Sequence, residues 1–430
     1  MKPSRYNHFF KIDEHHSIAY NSFSNALAII ENEKLNAYYD YIDNKKDIDI
    51  SLLKDLNKGA FLIEEDIDEL ELVRYNISRS RFSTSTLSLT IAPTSDCNFR
   101  CVYCFQKDKH NYEYMTDELQ TSIVNFVNKH ANHIHTLNII WYGGEPLLAF
   151  KIIENLSLKF LSICKQNNIK YNASMITNGY LLSRDVLATL KKIKVDFIQI
   201  TIDGGPEVHD LKRPLADGSK TFEKILYNLY SGYDLLPRIS LRINIDKSNQ
   251  NEGKVVMDYL KKYNLCEKVT PYFGCIRDDN NCYDKEKCLN ENTFAKLEFD
   301  FAIAVKPNTI VKYPKSKFSF CCADNISSWV IGVDGSLYKC WSEIGDVSKC
   351  VGNINNDENI VTKTLLEYVM FDPTTKEPCK SCNILPICMG GCPFQRRSGK
   401  SLQCSNYKFI LEQCLRNAIN ASKKIKKLNK

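Results

Sequence analysis

Cys97-Asn98-Phe99-Arg100-Cys101-Val102-Tyr103-Cys104 places three thiols at C-x3-C-x2-C spacing on one short stretch. Four thiolates would close a metal site. Three on one tight loop leave one corner of a cubic 4Fe–4S cluster without a protein ligand, so one iron is free to take a small chelating molecule. Zinc takes the same thiolates, and the three cysteines alone would also suit part of a zinc site. The stretch lies just after an apolar run, Leu87–Ala92, that reads as a strand.

The pattern begun at Leu87–Ala92 recurs. Strands are expected at Leu137–Tyr142, Asn172–Ile176, Phe197–Ile202, Ser240–Ile245 and Val269–Phe273. Helices are expected between them at Thr116–Asn128, Ile152–Asn167, Ser183–Ile193, Thr221–Leu229 and Gly253–Tyr263. Strands alternating with helices call for parallel strands joined by right-handed crossovers. The economical solution is an α/β fold, a partial (β/α)6 barrel.

Each notable motif falls at the carboxyl end of one of these strands, where the loops of a βα barrel converge on the active site. The second strand ends in Tyr142-Gly143-Gly144-Glu145-Pro146. Glycines there let the backbone approach a ligand with no side chain in the way. The third ends in Thr177-Asn178-Gly179, which alone is also a common turn. The fourth ends in Thr201-Ile202-Asp203-Gly204-Gly205-Pro206, followed by His209-Asp210-Leu211-Lys212-Arg213.

In this order on successive strand ends, the motifs resemble those of the radical SAM enzymes. The resemblance implies that Cys97, Cys101 and Cys104 hold a 4Fe–4S cluster whose free iron is chelated by S-adenosylmethionine (SAM). An electron from that cluster then splits SAM to a 5′-deoxyadenosyl radical. It implies that Gly143, Gly144 and Glu145 bind the SAM amino group and that Tyr103 packs on adenine. Thr177 and Asn178 would meet the ribose or methionine part. Asp203 and Arg213 would meet other polar SAM groups or line the mouth. His209 suits a loop or a catalytic role equally, and the pair His15-His16 reads as exposed loop.

A second constellation is C-terminal. Cys322 is followed by Gly335 and Cys340, then Cys379-x2-Cys382-x5-Cys388-x3-Cys392, then Cys404. Two zinc knuckles are one reading of such spacing. The order resembles the SPASM domain of peptide-modifying radical SAM enzymes, which carries two auxiliary 4Fe–4S clusters, making three clusters in all. The resemblance assigns Cys322, Cys340 and Cys392 to the first and Cys379, Cys382, Cys388 and Cys404 to the second. The first set lacks a fourth ligand. Cys321, Cys288, Cys282 or Cys275 could supply it, or the position could stay open for a substrate thiol. Cys164, Cys266, Cys350 and Cys414 read as ordinary small apolar residues.

Residues 1–82 look separate, 83–289 form the core, and 290–430 are expected to form a linker and the cysteine-rich domain. Ser17–Tyr20 and Ala26–Ile30 read as strands, Leu35–Ile42 and Leu52–Leu56 as helices, Ala60–Ile63 as a strand, and Asp66–Arg74 as a helix. This module weakly resembles the small winged-helix elements that bind leader peptides through an exposed strand edge.

Bulk composition is that of an ordinary soluble protein, 43% hydrophobic and 25% charged. No apolar run approaches the roughly 20 residues of a membrane helix, and the N-terminus has no secretory h-region. Neither a membrane nor a nucleic acid is expected as partner. The net charge of +6 is partly the run Lys423-Lys424-Ile425-Lys426-Lys427, read as a solvated helix end. Eighteen cysteines in a chain without an export signal argue for metal ligation over disulfides and for a reduced, cytoplasmic setting.

The resemblance, strong over residues 80–415, implies a maturase of a ribosomally made precursor peptide that carries a leader, reduced by a donor such as flavodoxin or ferredoxin. The expected reaction removes a hydrogen from a peptide carbon and joins that carbon to a cysteine sulfur as a thioether, or forms a related crosslink. The alternative is an anaerobic sulfatase maturase making formylglycine. Those enzymes carry an aspartate base right after the cysteine equivalent to Cys340, where this chain has Trp341. A non-catalytic iron–sulfur carrier is a third reading, and the complete SAM-binding set argues against it.

Overall fold

A computed structural model describes residues 1–107, 113–278, 281–306, 313–356, 361–397, 399 and 403–428, with side chains through 422. The chain forms two units that interleave in sequence: 1–82 with 306–321 and 370–430, and 83–305 with 322–369.

The first unit begins with β1 (Lys2–Pro3), β2 (Asn7–Lys11), β3 (His16–Asn21) and β4 (Leu27–Glu31). Strands β2, β3 and β4 form an antiparallel sheet in that order. Helices α1 (Asn32–Asn44) and α2 (Ile50–Lys58), strand β5 (Leu62–Ile63) and helix α3 (Glu69–Arg81) follow. Strand β5 pairs with β1 in a sheet of its own. Helix α3 starts later than the sequence suggests because the Asp68 carboxylate caps it, accepting from the amides of Leu70 and Glu71. It also runs a further two turns, as buried Val73 and Ile77 continue one apolar face.

In the second unit, β6 (Thr86–Ile91), β7 (Thr136–Trp141), β8 (Lys170–Thr177), β9 (Val195–Thr201), β10 (Arg238–Ile245) and β11 (Val269–Cys275) are neighbours in chain order and parallel throughout. The intervening helices are α4 (Asp117–His130), α5 (Phe150–Gln166), α6 (Arg184–Lys192), α7 (Pro206–Lys212), α8 (Phe222–Ser231) and α9 (Glu252–Lys262). This is the six-unit α/β arrangement the sequence implies. Helix α10 (Glu291–Val305) follows where a helical linker was expected. Beyond β6 the sheet adds β12 (Ser328–Ile331) in parallel, then β13 (Ser336–Tyr338) and β14 (Gly352–Asn353) antiparallel, and α11 (Lys363–Val369) closes the unit.

The two faces of the core strands differ. Leu87, Leu89 and Ile91 of β6 and Leu137, Ile139 and Trp141 of β7 are buried, at every second residue. The alternate face carries a polar row. Ser88, Asn138 and Asn172 stand in register on β6, β7 and β8 and are hydrogen-bonded in a row, at 3.2 and 2.9 Å. Parallel strands buried on both faces are apolar throughout, so this polar row marks the face turned toward a site.

The chain returns to the first unit with α12 (Leu385–Cys388), α13 (Pro393–Arg397) and α14 (Tyr407–Leu428). Ile18 and Tyr20 of β3 share a core with Ile384, Ile387, Leu411 and Leu415. Tyr6 shares another with Val73, Ile77, Leu385 and Met389. The N-terminal module and the cysteine-rich segment are thus one packed body. The side chains of the basic run 423–427 lie outside the described residues.

Candidate active site

The three-cysteine loop leaves the end of β6 and is held by backbone. Arg100 and Val102 donate their amides to the carbonyls of Pro214 (2.8 Å) and Lys212 (3.0 Å), and Ala216 donates back to Asn98 (2.9 Å). Asn178, at the end of β8, donates its side-chain amide to Asn98 Oδ1 at 2.8 Å. The three thiols lie near enough for their charges to act on one another. Burial pushes the Cys97 thiol well up, with Glu145 adding to it. Burial likewise pushes Cys101 to about 11, against the pull of Arg213.

The glycine motif docks on this loop through main chain. Gly144 and Glu145 donate their amides to the carbonyls of Thr94 (3.2 Å) and Asp96 (2.8 Å). The Glu145 side chain is 1% exposed. Its carboxylate accepts from Thr177 Oγ1 (2.6 Å), the Asn178 amide (2.8 Å) and the Leu147 amide (3.1 Å). Burial raises its pKa, opposed by those three donors. Glu145 therefore ties the ends of β7 and β8 together, while the glycine backbone packs against the main chain of residues 94–96.

Tyr103 is the node of a polar network. Its hydroxyl donates to Asp203 Oδ2 (2.5 Å) and accepts from Arg213 Nη1 (2.7 Å) and Asn244 Nδ2 (3.0 Å). Asp203 Oδ1 and Arg213 Nε are buried and have no hydrogen-bond partner among the described residues. An unpaired acceptor beside an unpaired donor suits a ligand with a hydroxyl and a carboxylate, as SAM has. Burial raises the Asp203 pKa, while Arg213 and Tyr103 hold it down.

The His-Asp-x-x-Arg stretch acquires a structural role. His209 is fully buried, and burial drives its pKa well below the usual range, so the ring is neutral. Its Nδ1 accepts from the Asp203 amide (3.2 Å), which assigns the ring proton to Nε2, facing Thr221 Oγ1 (3.1 Å). Asp210 accepts from the amides of Thr221 and Phe222 at the start of α8. His209 is thus a positioning residue for the Asp203 turn.

Sequence reasoning missed the end of β10. Asn244 reaches Tyr103, and Asp246 Oδ2 accepts from Lys212 Nζ (2.5 Å) and from the Tyr283 hydroxyl (2.6 Å). The only available signal was an Asn and an Asp ending a strand in the series. Burial works to raise the Asp246 pKa, but hydrogen bonds from Lys212, Ser248 and Tyr283 outweigh it and bring it to about 2. A depressed carboxylate stabilises the fold above its unfolded pKa, and that contribution is lost as pH falls through the folded one. Asp246→Asn is therefore expected to lose about 1–2 kcal/mol of unfolding free energy at neutral pH. The gap to the parent protein should narrow from about pH 4 and close near pH 2, as read by denaturant titrations at each pH. A gap independent of pH would contradict this.

Of the C-terminal cysteines, Cys379, Cys382, Cys388 and Cys404 come together in the first unit. A hydrogen bond from Cys404 lowers the Cys388 thiol to about 7, against burial and the charges of Cys379 and Cys382. The Ser405 amide lies 3.4 Å from Cys388 Sγ, and Lys408 Nζ lies 3.7 Å from Cys404 Sγ. Four gathered thiols with a cation and an amide beside them fit a thiolate-ligated cluster. Cys322 and Cys340 lie in the second unit, whereas Cys321 and Cys392 lie in the first. Cys282 packs its sulfur against the Tyr103 carbonyl (3.7 Å), and Cys275 ends β11. Cys164 and Cys414 are buried as expected of small apolar residues, but Cys266, in the turn after α9, is exposed.

Residues 91–247 match the Radical SAM superfamily. A cysteine-type anaerobic sulfatase-maturating enzyme of Clostridium perfringens is 26% identical over 379 residues, spanning 79% of this chain and 99% of that protein. The radical SAM cyclopropyl synthase TigE of Paramaledivibacter caminithermalis is 21% identical, over 89% of this chain and 85% of its own. Among solved structures, native anSMEcpe with bound AdoMet and Cp18Cys peptide is similar at a TM-score of 0.61, with 24% identity, 78% of this chain and 99% of that one. Streptococcus suis SuiB bound to precursor peptide SuiA is similar at a TM-score of 0.54, with 15% identity, 93% of this chain and 97% of that one. This chain carries a radical SAM domain, and it is an enzyme. It shares its fold with these two solved structures. Among the described residues no helix is long and apolar enough to cross a membrane.

Proposed function

We propose that this enzyme modifies a ribosomally made peptide, joining a peptide carbon to a cysteine sulfur or forming a related crosslink. Cys97, Cys101 and Cys104 would hold the 4Fe–4S cluster that SAM meets. Gly143 and Gly144 would present backbone to SAM, with Glu145, Thr177 and Asn178 fixing the turn around it. Asp203 and Arg213, each with an unpaired buried polar atom beside Tyr103, would take SAM hydroxyl or carboxylate groups, and Tyr103 would orient both. Bound there, the cluster and SAM supply a 5′-deoxyadenosyl radical that takes a hydrogen atom.

The observation that carries the reading is the gathered set Cys379, Cys382, Cys388 and Cys404. Joining a carbon to a thiol sulfur removes two hydrogens. One leaves as an atom, and the other as a proton and an electron, so the enzyme needs an electron acceptor besides the site of radical formation. Four gathered thiols are suited to holding one. Cys322, Cys340 and Cys392, with Cys321 as a further candidate, would hold another. Two auxiliary clusters would complete a SPASM-type domain and bring the total to three. A leader peptide would pair with an edge of the β2-β3-β4 sheet, whose β4 carries the 41% exposed Ile29. A flavodoxin- or ferredoxin-like donor in the cytoplasm would supply the first electron.

The sulfatase-maturase reading draws support from the 26% identical relatives. Trp341 weighs against it, because an indole cannot take a proton as a carboxylate does. Anaerobic co-expression with a neighbouring short cysteine-containing open reading frame separates the two. Loss of two hydrogens per crosslink, kept through reduction and alkylation, is expected by mass spectrometry. An unaltered peptide, or a sulfatase peptide whose cysteine becomes formylglycine, would overturn the crosslinking reading.

A further inference from the structure

Tyr142 and Trp341 are brought together from distant parts of the core unit. Tyr142 lies directly after β7 and immediately before Gly143, and Trp341 follows Cys340 directly. Their rings stack at 5.7 Å between centroids with planes 28° apart. Tyr142 is half-buried, and the thiols of Cys104 and Cys340 both stand near enough for their charges to act on it. Trp341 is 40% exposed. The chain has three tryptophans; Trp141 is fully buried, and Trp329 lies under the Lys339 ammonium, 4.7 Å from its ring centroid. Trp341 is the most exposed of the three, and it is the one stacked on the tyrosine that precedes the glycine motif.

An exposed indole backed by a second ring is a rigid, flat, apolar surface. It gains most from another apolar or planar group laid on it and has nothing to offer a carboxylate. The wall around it is of the opposite character, with Arg242 acting on Tyr142 and hydrogen-bonded to Asn244 at 2.6 Å. We infer that the Tyr142–Trp341 pair is a specificity subsite that seats an aromatic or branched apolar side chain of the substrate peptide beside the reacting residue. The inference rests on the peptide reading above. The polar groups around the site are left to hold the peptide backbone, and the ring pair selects the side chain and keeps water from that edge.

Two synthetic heptapeptides test this, each with a central cysteine between two phenylalanines or between two glutamates. Binding is read by fluorescence anisotropy of dye-labelled peptides and by peptide-stimulated 5′-deoxyadenosine release. In the parent enzyme the phenylalanine peptide is expected to half-saturate at about tenfold lower concentration than the glutamate peptide. Trp341→Ala should bring the two within about twofold by raising the phenylalanine value, and Trp341→Phe should restore the preference. Trp329→Phe should leave it in place. Thermal melting of Trp341→Ala should match the parent, because the indole is exposed. Parent-like preference in Trp341→Ala, or no preference in the parent, overturns the inference alone. Absence of any peptide-dependent signal in the parent also overturns the inference, whereas the peptide reading itself stands or falls with the co-expression experiment above.

Discussion

Cys101→Ala is expected to reduce 5′-deoxyadenosine formation to background while leaving the fold intact. The two effects separate because the loop does not depend on its thiols for shape. Its hydrogen bonds to Pro214, Lys212 and Ala216 are all main chain to main chain, and Asn178 braces it through Asn98. Removing one half-buried sulfur leaves that frame in place. The chemical loss is complete because ligation requires thiolate and because the neighbouring sulfurs cannot substitute. With Cys101 held near a pKa of about 11 by burial, an unligated loop keeps its protons, so binding of the cluster must expel them. Cys97→Ala and Cys104→Ala should behave alike. Cys388→Ala makes the contrast: it should leave radical formation measurable and lower crosslinked product, since its partners are Cys379, Cys382 and Cys404. Product chromatography with and without peptide, beside thermal melts, reads both. Parent-level deoxyadenosine from Cys101→Ala would remove the loop from the reaction.

How much of this was open to reading from residues follows from what fixes each part. The order of the six parallel strands was legible because apolar runs such as Leu137–Trp141 are long enough to carry a period, and because each ends in residues with a special backbone or ligand demand. The strands β12–β14 were not, since elements of two to four residues carry no period. Strand β2 escaped because His8 and Lys11 break its apolar signal. At the site, the cysteine and glycine spacings show in the sequence because their chemistry is local. The partners of Tyr103 lie at 203, 213 and 244, and those of Glu145 at 147, 177 and 178. Those pairings arise only when strand ends meet, so Glu145 reads in sequence as a ligand and in the structure as a brace. His209 shows the same limit: its motif is visible, but only its contact with the Asp203 amide tells positioning from catalysis.

Gly144→Ala is the substitution expected to cost most for the fewest atoms added. A Cβ at Gly144 would stand 2.1 Å from the Asp96 carbonyl oxygen, 2.6 Å from its carbon and 2.7 Å from the Ser95 carbonyl oxygen. These are backbone atoms of the cysteine loop, so no side chain can turn aside to make room. Either the glycine turn or residues 95–96 must shift by about an ångström, at the scale of 1–3 kcal/mol or more for overpacking. Both hydrogen bonds that dock the motifs, from Gly144 to Thr94 and from Glu145 to Asp96, lie on the line of that shift. The displaced loop carries Cys97 one residue beyond Asp96, so a local clash becomes a misplacement of the thiol. A misplacement of this size near a reacting centre is worth about a hundredfold in rate. Gly218→Ala isolates the backbone effect. Gly218 has φ +84° but none of the described residues lies within 4 Å of an added Cβ, so it meets left-handed strain without a clash. We expect deoxyadenosine formation to fall at least about a hundredfold in Gly144→Ala and to stay within a few-fold of the parent in Gly218→Ala. Iron content should fall in the first and hold in the second. Equal losses in the two variants would mean that the contact between the glycine turn and the cysteine loop has no special weight at the site.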